Sequence, residues 1–161
     1  LLENKTSCYS VENKMTSVKF LQTSFKEIIE LRARILRPGR PIKTAFFEED
    51  HESSTKHLAG CYGKKVVSCV SLVRSPWEEE PAWRLRGMAT DKKYQHQGIG
   101  TGLLQMLENL ALENPGPNLV WCTSRVKVIS FYEKQGWQVA SDLFQIAGVG
   151  PHKAMIKRLS E

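Results

Sequence analysis

The residues with the clearest chemical potential are Gln95-His96-Gln97-Gly98-Ile99-Gly100. They stand between a run that reads as a strand, 85–90, and a run with helical apolar spacing that begins near Gly98. The first amides of a helix lack partners, and the aligned peptide dipoles put partial positive charge there. A pyrophosphate docks on such an end when its oxygens can approach the backbone, which requires missing side chains. Gly98 and Gly100 give that clearance, Gln95 and Gln97 offer neutral donors, and Lys92 and Lys93 lie near enough in sequence to attract phosphate. A dinucleotide GxGxxG would need glycine where Leu103 stands, and Gly102-Leu103-Leu104 is not the Gly-Lys-Ser/Thr of a nucleotide P-loop. Taken alone, a GxG at a helix start favours the plainer reading of a turn with no ligand. The neighbouring elements change that weight.

Those residues need a scaffold, and the hydrophobic pattern supplies one. Residues 17–22 read as a strand. Ser24 reads as the N-cap of a helix carrying Phe25, Ile28, Ile29, Arg32, Ile35 and Leu36 at helical spacing, stopped by Pro38-Gly39. An irregular acidic stretch, 40–54, follows. Residues 56–62 and 65–74 form an antiparallel hairpin about Gly63, a proline-fenced loop covers 75–81, and 83–90 is a fourth strand. From 98 to 112, Ile99, Leu103, Met106, Leu107, Leu110 and Ala111 mark one stripe of the clearest helix. The apolar run 119–123 suits a buried central strand, 126–134 a short helix capped by Gly136, and 137–147 with 152–159 a closing hairpin. The order β-α-β-β-β-α-β-α-β-β predicts an α/β (α+β) domain, a mixed sheet flanked by helices.

The chain's 161 residues suffice for one domain, expected over 15–161, after a polar leader or extension, 1–14, expected to be disordered. With 41% hydrophobic and 25% charged residues the composition is that of a globular protein. No apolar run approaches the ~20 residues that cross a bilayer, so no membrane partner is expected. The absence of a signal-peptide pattern and the scattered cysteines, with no CxxC, point to a reducing, cytoplasmic setting. The net charge of +6 is spread along the chain rather than gathered in an aromatic-interleaved basic stripe. Nucleic-acid binding is therefore disfavoured, and a polyanionic small ligand satisfies the charge as well. Asp50-His51 lacks a third ligand at zinc spacing, so no metal is expected.

The pattern Q-x-x-G-x-G of Gln95 to Gly100, opening an amphipathic helix after the strand Leu85-Arg86-Gly87-Met88-Ala89-Thr90, resembles the acetyl-CoA signature of the GNAT superfamily, the Gcn5-related N-acetyltransferases. Phe131-Tyr132-Glu133-Lys134-Gln135-Gly136-Trp137 is similar to a second element of that family. Gly148-Val149-Gly150-Pro151-His152 with Met155, and Leu31-Arg32 with Leu36-Arg37-Pro38, resemble its ElaA-like branch. The resemblance covers residues 17–158 and implies a mostly antiparallel sheet whose fourth and fifth strands splay apart to admit a thioester, with a bulge at Gly87. It implies that Met88, Ala89 and Thr90 offer backbone groups to the pantetheine arm. Gln95, His96, Gln97, Gly98, Ile99, Gly100 and Thr101 would hold the pyrophosphate of acetyl-CoA. Tyr132 would contact the donor and protonate the departing CoA thiolate; its plainer reading is a core aromatic. Arg125 stands where the family has asparagine and could instead meet a CoA phosphate, Val128 replaces an alanine, and Arg84 and Arg86 occupy the strand that often carries a glutamate base.

The function these readings imply is an acyl-CoA-dependent N-acetyltransferase acting by direct transfer on a primary amine of a small molecule or peptide. A homodimer is an expectation the resemblance carries. An amine is mostly charged at neutral pH, so a base must remove a proton. His152, His57 and Asp50 are the candidates, each with a plainer structural reading, and His152 is the one the resemblance sets beside the acceptor. The acidic clusters Glu48-Glu49-Asp50 and Glu78-Glu79-Glu80 read as solvated loops first, and as attractors of a cationic acceptor second. The rival to the enzyme is a binding module of the same fold that holds acyl-CoA without catalysis.

Overall fold

A computed structural model describes residues 17–113 and 116–160, and the extension expected over 1–14 lies outside the described residues. β1 (Val18–Thr23) leads into α1 (Phe25–Leu36); Ser24 takes an extended N-cap backbone, although its hydroxyl makes no capping bond. The acidic stretch holds two 3₁₀ turns, Ile42–Ala45 and Glu48–His51. Then come β2 (Lys56–Tyr62), β3 (Lys65–Arg74), β4 (Trp83–Thr90), α2 (Ile99–Glu113) and β5 (Leu119–Arg125). The helix expected over 126–134 opens as a 3₁₀ turn, Val126–Val128, before α3 (Ile129–Lys134). The strand expected over 137–147 is two pieces, β6 (Gln138–Val139) and β7 (Phe144–Ile146), both paired with β8 (Gly150–Arg158). Between those pieces the hydroxyl of Ser141 accepts the Ala154 amide at 2.8 Å, so a side chain takes over a ladder bond.

The eight-stranded sheet runs β1-β2-β3-β4-β5-β8-β6, with β7 also on β8. Its pairings are antiparallel except for β4 with β5, which meet in parallel only at Trp83↔Val120 and Arg84↔Trp121. Beyond those two positions the strands part, as the resemblance implied. A bulge marks the parting limb. Between Arg86 and Ala89, β4 has one residue more than β3 has between Ser71 and Cys69, and Gly87 takes φ +64° there. A bulge bends its strand and increases its twist. Only glycine suits this one, because a Cβ would stand 2.8 Å from Arg32 Nε and 2.9 Å from the Phe47 ring.

Helices cover both faces of the sheet. On one, Leu103, Leu104, Leu107 and Ala111 of α2 pack with Leu72, Trp83, Leu85, Val120, Cys122 and Met155. On the other, Ile28 and Leu31 of α1 pack with Ala59, Cys69 and Ala89. Burying one such leucine is worth ~1.5–3 kcal/mol, more than a cap, so the apolar stripes fix the helices. Side chains alternate along a strand. Hence Arg84, Arg86, Trp121, Thr123, Arg125 and His152 fall on the α1 face, while the bulge sends Met88 to the α2 core.

Candidate active site

On the α2 side of the sheet, the side chain of Tyr132 spans the opening between β4 and β5. Tyr132 of α3 is buried, its ring held edge-on by Phe131 and tilted against Trp137, with centroids 5.2 and 5.3 Å away. Its hydroxyl lies 3.7 Å from Met88 Sδ on the β4 limb and beside the Cys122 thiol on the β5 limb. Burial, reinforced by Cys122, lifts the Tyr132 pKa well above the ordinary 10.0, so the hydroxyl keeps its proton. A thioether is a weak acceptor, which leaves that proton available to a better one. Burial also pushes the Cys122 thiol up to about 12, so it stays neutral. On the other side of Met88, Ala89 and Thr90 pair with Cys69 and Ser68 of β3. No strand pairs with their β5-facing edge among the described residues.

The turn after β4 ends at the start of α2. Gly98 and His96 both take positive φ, +79° and +60°, the second uncommon for a residue with a Cβ. The Gly102 amide donates to the Gly98 carbonyl at 3.1 Å and begins the helical ladder. The amides of Ile99, Gly100 and Thr101 precede it and have no acceptor within the helix. Gln95 and Gln97, expected as donors to a ligand, each turn Nε2 inward, to the carbonyls of Thr90 (3.0 Å) and Lys93 (3.2 Å), and so brace the loop. A Cβ on Gly100 would meet Phe131 at 3.6 Å and Met88 at 3.8 Å, ordinary contacts, so packing does not demand glycine there. Packing does demand it at Gly102, where a Cβ would stand 2.6 Å from the Phe20 ring. Thr101 Oγ1 accepts from Gln135 Nε2 at 3.4 Å, tying α2 to α3. Arg125 lies away from this turn, on the α1 face, where Nη2 donates to the Leu36 carbonyl at 3.2 Å.

The three base candidates separate by their hydrogen bonds. Asp50 is buried, its carboxylate held by Arg32 at 2.8 and 3.0 Å and by the Phe47 amide at 2.7 Å. His57 is equally committed. Its Nε2–H must donate to the Asp50 carbonyl (2.9 Å), which leaves Nδ1 to accept the Ser71 hydroxyl (2.6 Å). Arg32 Nη2 in turn donates to Ser71 Oγ at 2.8 Å. His57 has no lone pair to spare and Asp50 is engaged as the buried counter-ion of Arg32, which, visible in sequence only as a cation in an apolar stripe, is the hub of that network. His152 differs. Its Nδ1–H donates to the Gly150 carbonyl at 2.8 Å and its ring stacks near Phe144. Nε2 therefore carries the lone pair.

Each acidic cluster also gives members to ion pairs: besides Asp50, Glu49 pairs with Arg86 at 3.0 Å, and Glu80 with Arg158 at 2.9 Å. Among the described residues no cluster of His, Cys, Asp or Glu could hold a metal ion, and no helix is long and apolar enough to cross a membrane.

A family model described as the acetyltransferase (GNAT) family matches residues 24–137. The chain belongs to the GNAT acetyltransferase family. The uncharacterized N-acetyltransferase YitI of Bacillus subtilis (strain 168) is 37% identical over 141 residues, covering 84% of this chain and 93% of YitI. Among solved structures, Escherichia coli ElaA superposes with a TM-score of 0.68 at 12% identity, over 87% of this chain and 99% of ElaA. An aminoglycoside 6'-N-acetyltransferase complexed with coenzyme A gives 0.64 at 15% identity, over 86% of this chain and 96% of that one. The forked sheet is thus that of a GNAT domain, and the glycine-bearing turn and Tyr132 both lie within the matched residues.

Proposed function

We propose that this GNAT protein is an acyl-CoA-dependent N-acyltransferase that moves an acetyl group from acetyl-CoA directly to a primary amine. The observation that carries the reading is the buried Tyr132 hydroxyl lying between Met88 on one limb of the fork and Cys122 on the other. The amides of Ile99, Gly100 and Thr101, which have no acceptor within the helix, suit the donor's pyrophosphate. The unpaired edge of Met88, Ala89 and Thr90 suits the amide-bearing pantetheine arm, and the fold shared with a CoA-bound neighbour supports the donor class.

The transfer balances on this chain's own residues. The amine nitrogen forms a C–N bond to the thioester carbonyl carbon as the C–S bond breaks. The amine reacts in its neutral form, its ammonium proton having gone to solvent. Tyr132 gives its proton to the departing thiolate, and His152 Nε2, directly or through a water, takes the proton the nitrogen sheds as the amide forms; that proton then returns through solvent to Tyr132. The acyl group need not visit Cys122, whose thiol is held neutral.

Thiol release from acetyl-CoA, followed across a panel of primary amines, tests the proposal. Amine-dependent release is the expected result. Saturable CoA binding with no release on any amine would overturn it in favour of a binding module.

A further inference from the structure

The α1 face of the fork gathers arginines of which only one is in an ion pair among the described residues. Arg37 Nη1 and Arg125 Nη2 donate to the same carbonyl, that of Leu36, at 2.9 and 3.2 Å, which brings two guanidinium groups together at the end of α1. Arg40 Nη2 donates to the Gly148 carbonyl at 3.3 Å, in the turn between β7 and β8. Arg84 lies over the Trp121 ring at 4.4 Å with its buried Nε unpartnered. Arg86 is the exception, since Glu49 holds it at 3.0 Å. Among the described residues the other carboxylates in ion pairs, Glu30, Asp50, Glu80, Asp91 and Glu108, serve Arg32, Arg34, Lys65, Lys157 and Arg158. Arg37, Arg40, Arg84 and Arg125 receive none of them.

Such a gathering is costly. Like charges brought together repel, and the more so where solvent is partly excluded. Burial, then the neighbouring charges of Arg125, Arg40 and Arg86, hold the Arg37 pKa below its usual value. Burial, then Arg86, brings Arg84 down to about 10. Arg37 and Arg84 are partly desolvated, Arg125 and the exposed Arg40 stand beside Arg37, and the nearest acid, Glu49, is held by Arg86. Such a cluster is in want of an anion, and a guanidinium pair matches the planar fork of a carboxylate or the oxygens of a phosphate. The donor's pyrophosphate has its own place at the start of α2, on the opposite face of the sheet. Arg125 is also the cross-strand partner of His152. Side chains so paired have Cβ atoms about 4.5–5.5 Å apart, so an anion on Arg125 stands within a few bonds of an amine facing His152.

From this juxtaposition we infer that the acceptor is a small amine bearing its own carboxylate or phosphate, held by Arg37, Arg40 and Arg125, rather than a polycation. The inference rests on the acyltransferase reading for its chemistry but not for its binding site.

Two measurements separate the possibilities. The first compares kcat/KM for amino acids, their amides and their decarboxylated amines. An advantage of about tenfold or more, ~1.4 kcal/mol, is expected for the carboxylate-bearing member, lost in Arg125→Gln and Arg37→Gln mainly through KM. The second titrates the same ligands into CoA-loaded protein by calorimetry, alongside CoA titrated into each variant. Preferential binding of the anionic members, lost in the variants while CoA affinity holds, supports the inference even if no thiol is released; in that case only the transferase reading fails. Equal or stronger binding of the amides and amines would overturn it. So would a loss of CoA affinity in Arg125→Gln as large as the loss for the acceptor, which would give the arginines to the donor's phosphate. Arg125→Lys, expected to retain part of the preference, controls for folding.

Discussion

Removing only the hydroxyl of Tyr132 leaves its ring against Phe131 and Trp137, so Tyr132→Phe isolates the proton from the packing. A general acid contributes about 10²–10⁴-fold, and kcat is expected to fall within that range while CoA affinity, measured by titration, stays near wild type. The pH profile gives a second reading of the same residue. Burial raises the Tyr132 pKa well above 10.0, so kcat should show no loss from this group as pH climbs toward that value. An alkaline limb in the wild type that vanishes in the phenylalanine variant would contradict a buried, proton-holding tyrosine. His152 is argued on geometry alone: its Nδ1–H is committed to Gly150, so any lone pair for the amine is on Nε2.

At the scale of the element, the two glycines at the start of α2 part company. Alanine at Gly100 meets only ordinary contacts and gains helix propensity, about 0.5–1 kcal/mol relative to glycine. Gly100→Ala should therefore raise Tm of the free protein while weakening CoA binding, because the lost clearance is felt by the ligand. Alanine at Gly102 collides with Phe20, whose ring is also close to Gly60, with 3.2 Å to the position of a Cβ there. Gly102→Ala should lower Tm, overpacking costing roughly 1–3 kcal/mol. Thermal melts with and without CoA check both. The turn was legible in the sequence because its chemistry is local. The succession of elements along the chain and the long helix were legible too, since apolar stripes are local patterns with large energies behind them. The break between β6 and β7 was not, because it depends on Ser141 meeting Ala154 from a distant segment. Nor was the arginine face, whose members come from the end of α1 and the turn after it, from β4 and from β5, and share a surface only once the sheet has formed.

Over the whole molecule, the acids and bases that sequence reading offered to catalysis divide between structure and site. Arg32, Asp50, Ser71 and His57 form one buried chain of hydrogen bonds that ties α1 and the Glu48–His51 turn to β2 and β3. Asp50→Ala leaves the Arg32 guanidinium buried without its counter-ion. Breaking such a pair costs about 3–5 kcal/mol, a loss denaturant unfolding should report directly. The histidine in that chain also makes stability depend on pH. Burial is the main cause holding the folded pKa of His57 below its ordinary 6.5, so the native state keeps the ring neutral where the unfolded chain takes up a proton. The contribution is complete above 6.5 and is lost as pH falls from there through the folded value. His57→Gln removes the titrating group and weakens the network. Its Tm should be lower than wild type at neutral pH, and the gap should narrow as the solution is acidified through that window. A gap that stays constant with pH would mean that His57 is as easily protonated folded as unfolded, contrary to a ring whose two nitrogens are committed to Ser71 and the Asp50 carbonyl.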